Sequence, residues 1–312
     1  MHETVLFFRR FRGLTGGHLK VWDFFQHTLA SGTHTARVVF SPDSVWTEEN
    51  PWREAREYVV TSRDAVDPDL LFVGALDWQH LTPMERDRSR VPVLNLIAGV
   101  RHASAGDPRR ALLQHHAIRI CVSHEVAAAI QEAGPPNGPV VVIPNAVNVA
   151  GAPIVATRDV DLLVVAAKQP SLGQKLASRL ARPGRRVESL DAKLPRRAFL
   201  ARIGQAKAAL FLPLAAEGFY LPALEGMALG TLVVCPDAVG NREFCADGRN
   251  CLMPEYTEDA VAAAAERALA LQSSTRDAML VAGRETAARH GLEGERRAFV
   301  ELLRKAPELW AG

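Results

Sequence analysis

"AALFLPLAAEGFYLPALEGMALG", from Ala208 to Gly230, reads as one strand, one loop and one helix. "AALFLPL" is a short continuous apolar run, the pattern of a strand buried on both faces. Ala215 to Leu221 then forms the loop beyond its carboxyl end. Pro222 is expected at the first helical position, where its missing N–H costs nothing. That reading puts Glu225 in the first helical turn and Glu217 on the loop before it. Ligands of open parallel sheets bind beyond the carboxyl ends of the strands. Free N–H groups at a helix start attract anions. Two carboxylates beside an anion-friendly turn suit a ligand carrying both hydroxyls and phosphates, and a nucleotide-sugar is such a ligand. Taken alone, a first-turn glutamate is explained by the helix dipole; the surrounding string is what favours the functional reading.

Outward from this segment the same alternation fills the chain. "ETVLFF", "TARVVF", "DLLFVG", "VPVLNLI", "IRICVS" and "PVVVIP" are strand candidates in the first half. "GHLKVWDFFQHTLA", "DPRRALLQHHA" and "HEVAAAIQEAG" are helix candidates between them. A polar passage, "NAVNVAGAPIVATRD", reads as a linker. The alternation restarts with "DLLVVAAK", "LGQKLASRLA", "RRVESLD" and "PRRAFLARIG", and after Gly230 continues with "TLVVCPD". From Thr257 on, only helical patterns remain. Alternating strands and helices with apolar strands mean parallel sheets covered on both faces. The fold class expected is α/β, with two Rossmann-like domains facing across a cleft and a helical C-terminal tail. The domains expected are 1–150, on the acceptor side, and 151–290, binding the donor. A last helix over 291–312 is expected to pack back on the first domain.

Composition sets the outer limits. The 312 residues exceed one ordinary core and suit two domains of roughly 150. Hydrophobic residues make up 48%, enough for substantial cores. A net charge of +2 gives no signal for nucleic acid, so no nucleic-acid partner is expected. Cys121, Cys235, Cys245 and Cys251 form no C-x-x-C pair, which argues against a zinc or redox motif. No apolar run reaches transmembrane length and no signal peptide precedes "TVLFF", so a cytoplasmic location with reduced thiols is expected. "FFRRFRG" (Phe7 to Gly13) is a basic edge able to draw an anionic or membrane-bound acceptor, although a solvated surface is the plainer reading. Peripheral membrane association is therefore admitted.

"EGFYLPALEGMALG" resembles the "EGFGLPxLEAMAxG" signature of the retaining GT-B glycosyltransferases, specifically glycosyltransferase family 4. "TLVVCPDAVGNREFCADGRNCLM" is similar to the strand, "GG-x-x-E" turn and "DGxNGLL" segment that follow it in that family. "CVSHEVAAAIQEAG" with "VVVIPNAVNV" resembles its "VSxxxxxxLxxxG…VIPNGVD" stretch, and "GLTGGHLKVWDFF" its first glycine-rich turn. The resemblance runs from Gly13 to about Leu271.

The resemblance implies a hexosyltransferase that uses a nucleotide-diphosphate-sugar as co-substrate, needs no other cofactor and serves glycan biosynthesis; that it is metal-independent is expected because Lys168 and a helix start can neutralise a diphosphate without a cation. Its acceptor would be a glycan, a lipid-linked molecule or a small molecule. Glu225 would hold the ribose 2′- and 3′-hydroxyls, and Glu217 would contact the donor sugar near its reacting centre. The amides of Gly218, Phe219, Tyr220 and Leu221 would line sugar and diphosphate. Gly16 and Gly17 would approach the phosphates from the other domain. Lys168 would meet the diphosphate, whereas Lys175, inside the next helix pattern, reads as more solvated. His102 would lie close to the donor sugar, with Arg101 as the alternative contact; His115 and His116 read as structural. The chain also departs from the family. Ala166 and Ala167 stand around the place of its usual phosphate-binding arginine. Ala146 and Asn148 replace the Gly and Asp of "PNGVD", and Tyr220 replaces a glycine, which is expected to reshape the sugar pocket.

Two D-x-D strings, Asp67-Pro68-Asp69 and Asp159-Val160-Asp161, raise the question of a metal. Each immediately precedes an apolar strand, so both belong at the amino ends, opposite the ligand face. No metal ligand is assigned. The rival readings are a non-catalytic nucleotide-sugar-binding partner subunit, an epimerase or phosphorylase on the same architecture, and a dinucleotide dehydrogenase. "GLTGGH" lacks the full G-x-G-x-x-G, which counts against the last.

Overall fold

The computed structural model describes residues 2–311. In chain order it runs β1 (Glu3–Arg9), α1 (Gly16–Leu29), β2 (His34–Phe40), β3 (Val59–Val60), β4 (Leu70–Gly74) and α2 (Pro83–Arg88). Then come β5 (Val93–Ile97), β6 (Ile118–Cys121), α3 (His124–Glu132) and β7 (Val140–Val142). The second half holds β8 (Val160–Val165), α4 (Pro170–Leu180), β9 (Val187–Leu190), α5 (Arg196–Gln205) and β10 (Ala206–Phe211). It ends with α6 (Leu221–Ala228), β11 (Leu232–Val234), α7 (Glu258–Leu269), α8 (Ser273–Arg289) and α9 (Leu292–Ala311).

Two compact units result. The first comprises residues 1–145 with 292–312, the second residues 146–291. The first contains a sheet in the order β3-β2-β1-β4-β5-β6-β7, with parallel pairing throughout. β1, β4, β5 and β6 are almost wholly buried, which is why their sequences are apolar without alternation. The order turns between β1 and β4, so the ligand crevice of this unit opens beyond those two strands. α9 belongs here. Its Phe299 lies 4.6 Å from Phe24 of α1, centroid to centroid, and its Glu295 receives Lys20 at 2.6 Å and His27 at 2.9 Å. The expected helix "DPRRALLQHHA" is instead a run of tight 3-10 turns over Pro108–Gln114. Asp107 caps it through the amide of Arg109, and the chain must extend within three residues to enter β6. His115 and His116 lie outside it, with the His116 ring stacked 4.1 Å from Trp310.

The second unit contains a sheet in the order β11-β10-β8-β9, again with all pairs parallel. Its switch point lies between β8 and β10, the strands that lead into Lys168 and Glu217. The core joins Leu162, Val164, Leu210 and Val234 of the sheet to Leu176 of α4, Val261 of α7 and Met279 of α8. Two glycines let helices close on the strands that feed the crevice. A Cβ on Gly173 of α4 would lie 2.1 Å from the Ala166 Cβ, and one on Gly226 of α6 would lie 2.8 Å from the Phe211 ring.

Candidate active site

The site of the second unit begins with β10. Its apolar run carries the chain to Leu212, beyond which residues 213–220 turn across the end of the sheet before α6 starts. The Glu217 amide donates to the Leu214 carbonyl at 3.2 Å, closing a turn. The Val239 amide donates to the Ala215 carbonyl at 3.2 Å, and the Tyr220 amide to the Gly240 carbonyl at 2.8 Å. These two bonds strap the site loop to the turn at 239–241. The strap leaves no room at Gly240, where a Cβ would sit 2.6 Å from the Glu217 Cβ. Because the Tyr220 amide is used in this strap, the expectation that it faces a ligand is corrected. The amides of Phe219 and Leu221 make no hydrogen bond among the described residues. Gly218 is held in the same turn.

Lys168 follows β8 and donates to the Glu217 carboxylate. Its ammonium also stands 5.3 Å from the Tyr220 ring centroid, within cation–π range. The lysine side chain is 44% exposed and the glutamate 16%, so the pair sits at the mouth of the crevice, open to a competing anion. Tyr220 itself is buried, with its ring set edge-on to Phe211, and burial pushes its hydroxyl well above the usual range. It therefore backs Lys168 from within the core.

Glu225 also departs from expectation. α6 begins at Leu221 with Pro222 second, so Glu225 is the fifth helical residue and lies in the second turn. The dipole of the first turn does not account for it there. It is 2% exposed. One oxygen, Oε1, accepts from Arg196 at the start of α5; the other, Oε2, is buried and has no partner among the described residues. Burial raises the carboxyl above its ordinary value, and the Arg196 guanidinium opposes that shift. A buried carboxylate oxygen without a donor is costly unless a ligand supplies one. Arg196 was not singled out from the sequence. The available signal was two arginines, Arg196 and Arg197, at a helix start, where the dipole disfavours cations.

The place of the family's arginine is occupied differently. Ala166 is fully buried against Gly173, so that position has no space for a long side chain, while Ala167 is exposed. Lys175 is exposed on α4. The D-x-D strings lie at the amino ends of β4 and β8. Asp69 accepts the Thr4 amide at 2.7 Å, and Asp161 accepts the Arg186 amide at 2.8 Å and Lys207 at 2.7 Å. Among the described residues no three His, Cys, Asp or Glu side chains gather as metal ligands. All four cysteines are free and buried.

The first unit presents its own groups beyond β1, β4 and β5. Thr15 caps α1 by accepting from His18, and Gly16 and Gly17 form its first turn. A Cβ on Gly17 would meet only the Thr15 hydroxyl, at 3.8 Å, so packing does not demand the glycine there. Behind this turn Arg9 is buried between Asp77 and His18, at 2.5 Å from each. Arg10 and Arg12 pair with Asp43, so the basic edge is partly neutralised. His102, beyond β5, is buried; its Nδ1–H donates to the Gly99 carbonyl at 2.9 Å, and Nε2 has no partner among the described residues. Burial lowers its pKa, so the neutral ring offers a bare acceptor nitrogen. Arg101 beside it is exposed.

Comparison with known proteins agrees with this architecture. Residues 139–271 match the family model described as glycosyl transferases group 1. No curated protein matches the chain. Among solved structures, the chain is similar to a sucrose-phosphate synthase from Thermosynechococcus elongatus, with 14% identity, a TM-score of 0.74 and coverage of 97% of this chain and 99% of that one. Anabaena HepE in complex with UDP-glucose gives the same identity and TM-score, covering 97% and 100%. A trehalose 6-phosphate synthase from Burkholderia multivorans reaches 12% identity and a TM-score of 0.67, covering 99% of each chain. At such identities the likeness is one of fold, and the fold is the GT-B architecture.

Proposed function

We propose that this chain, whose residues 139–271 carry a group 1 glycosyl transferase domain, moves a sugar from a nucleotide-diphosphate-sugar to a hydroxyl-bearing acceptor with retention of configuration. The observation that carries the reading is Glu225: a buried carboxylate with one oxygen left unpartnered at the ligand end of a parallel sheet. Vicinal ribose hydroxyls are donors of the right kind for it. Lys168 and the open amides of Phe219 and Leu221 suit the diphosphate that follows the ribose.

As the bond to the anomeric carbon breaks, negative charge grows on the diphosphate. Lys168 leaves Glu217 and meets that charge, a contribution of about 3 kcal/mol for one well-placed donor. Glu217, released from its lysine, stays beside the sugar as a hydroxyl acceptor. Within the first unit, taken by itself, neutral His102 is the acceptor we propose for a sugar hydroxyl, and Gly16 and Gly17 leave backbone bare for phosphate. The acceptor hydroxyl attacks on the face the diphosphate leaves, and its proton passes to the departing phosphate oxygen. No covalent nucleophile and no metal enter the scheme, and we place the reaction in the cytoplasm.

HepE was solved with UDP-glucose, which makes that donor the first probe. Proton NMR of UDP-glucose, GDP-mannose and ADP-glucose incubated with the chain, an acceptor panel and excess chelator reports consumption and product anomer together. Transfer with retained configuration is expected. Inversion would refute the mechanism, loss of turnover with EDTA and recovery with magnesium would refute its metal independence, and an epimerised free donor would favour an epimerase.

A further inference from the structure

Arg196 does two things at once. One guanidinium nitrogen donates to Glu225 Oε1 and the other donates to the Asn148 carbonyl at 2.7 Å. The side chain thus links α5 to α6 on one side and, on the other, to the opening residues of the same second unit, ahead of β8. Its own exposure is 28%, while that of Glu225 is 2%, so the ion pair is covered chiefly on the carboxylate side. Glu225 Oε2 remains buried and, among the described residues, unpartnered.

We propose that Arg196 is a positioning residue for nucleotide recognition: anchored on Asn148, it occupies Oε1 of Glu225 so that Oε2 alone is presented, charged and fixed, to the ribose hydroxyls. The proposal rests on the reading of Glu225 as the ribose acceptor. A planar fork that bonds two fixed acceptors sets the rotamer of the carboxylate, which a lysine does less well. Without the guanidinium the carboxyl would be buried with no counter-charge and would hold its proton to higher pH. A protonated carboxyl loses the charged acceptor on which strong hydroxyl binding depends. The groups acting on Glu225 are Arg196 from α5 and, at the cap of α6, the buried Tyr220, whose hydroxyl stays neutral.

The test uses the whole chain as wild type, Arg196→Gln and Arg196→Lys, with Glu225→Gln to assign the signal. Carbon-13 NMR of the glutamate carboxyls gives the Glu225 titration midpoint. Calorimetry with UDP, GDP and ADP, then with the 2′,3′-dideoxy form of whichever binds, gives the ribose selectivity. Arg196→Gln is expected to raise the midpoint by about one unit or more, the scale of a neighbouring opposite charge. It is also expected to cut ribose selectivity by about tenfold or more at neutral pH. Arg196→Lys should restore the midpoint and part of the selectivity. A purely structural role would weaken ribo and dideoxy nucleotides equally and leave selectivity intact, which would overturn the proposal, as would an unmoved midpoint in folded Arg196→Gln. A wild-type chain that binds none of the three nucleotides would overturn the ribose reading and this role with it. A shifted midpoint in that case would still establish the electrostatic pairing, so the two failures stay distinct.

Discussion

Replacing Gly240 by alanine asks whether the strap behind the site loop sets the geometry of Glu217. The added Cβ would lie 2.6 Å from the Glu217 Cβ, 3.1 Å from the Tyr220 amide nitrogen and 3.2 Å from the Glu217 carbonyl carbon. Comfortable carbon–carbon contact needs about 3.5–4.0 Å, so roughly 1 Å of movement is required. None of the three atoms is a flexible side-chain end. The Tyr220 amide is bonded to the Gly240 carbonyl itself, and Val239 holds Ala215, so the loop has to move as a body. Overpacking of this kind costs about 1–3 kcal/mol of stability. A displacement near 1 Å at a reacting centre costs about 100-fold in rate, which is roughly 2.7 kcal/mol of barrier. Denaturant unfolding reads the first quantity, and donor consumption under saturating conditions reads the second. Gly106→Ala, whose Cβ would meet nothing within 4 Å, is the control and should change neither. A Gly240→Ala chain with wild-type turnover and a stability change under about 0.5 kcal/mol would refute the argument that the strap positions the site.

Glu217→Gln keeps the shape and removes the charge, so kcat should fall more than KM rises; a normal kcat with a raised KM would make Glu217 a ground-state contact. Lys168→Ala should cost about 100- to 1,000-fold in turnover, far more than Lys175→Ala, while stability stays within about 0.5 kcal/mol because the Lys168–Glu217 pair is partly exposed; steady-state kinetics and melting curves on both variants check the order. Arg9→Met leaves Asp77 buried without its partner and should cost about 3–5 kcal/mol at pH 8 by urea titration. Burial already raises the Asp77 carboxyl to about 6, so the native state keeps its proton above the ordinary value of 3.8 and loses stability as pH rises between them. Removing Arg9 raises that carboxyl further, so the penalty should shrink at pH 5; an equal penalty at both pH values would show that the charge of Asp77 is not the cause.

The strands were legible because burial on both faces writes itself as unbroken apolar runs: "TVLFF", "LLFVG", "LLVVAA" and "AALFL" all lie in or overlap core strands. "DPRRALLQHHA" misled because apolar spacing says little about whether a chain has length enough for an α-helix before the next strand; the segment between Asp107 and β6 is filled by 3-10 turns. In the second unit, the position of Glu217 and Lys168 beyond strand ends was readable from the apolar runs before them. The burial of Tyr220 was not, because a substitution inside a motif shows a change of size and not the direction of the ring. Arg196 escaped because its partner lies 29 residues away on another helix, and a pairing between elements leaves no periodic trace in one sequence. The second-turn position of Glu225 hung on a single residue of helix boundary, the least certain quantity that local rules deliver.

The central claim is that a nucleoside diphosphate is held by the buried carboxylate of Glu225. Thermal unfolding of the wild type and of Glu225→Ala, each with saturating UDP, GDP and ADP, measures it most directly, because a ligand that binds only the folded chain raises its melting temperature. At least one diphosphate should stabilise the wild type. The same diphosphate should bind Glu225→Ala more weakly by roughly 1–3 kcal/mol, the worth of hydroxyl hydrogen bonds to a charged acceptor. Equal stabilisation of both chains by the same nucleotide, or no stabilisation of the wild type by any of the three, would contradict the account.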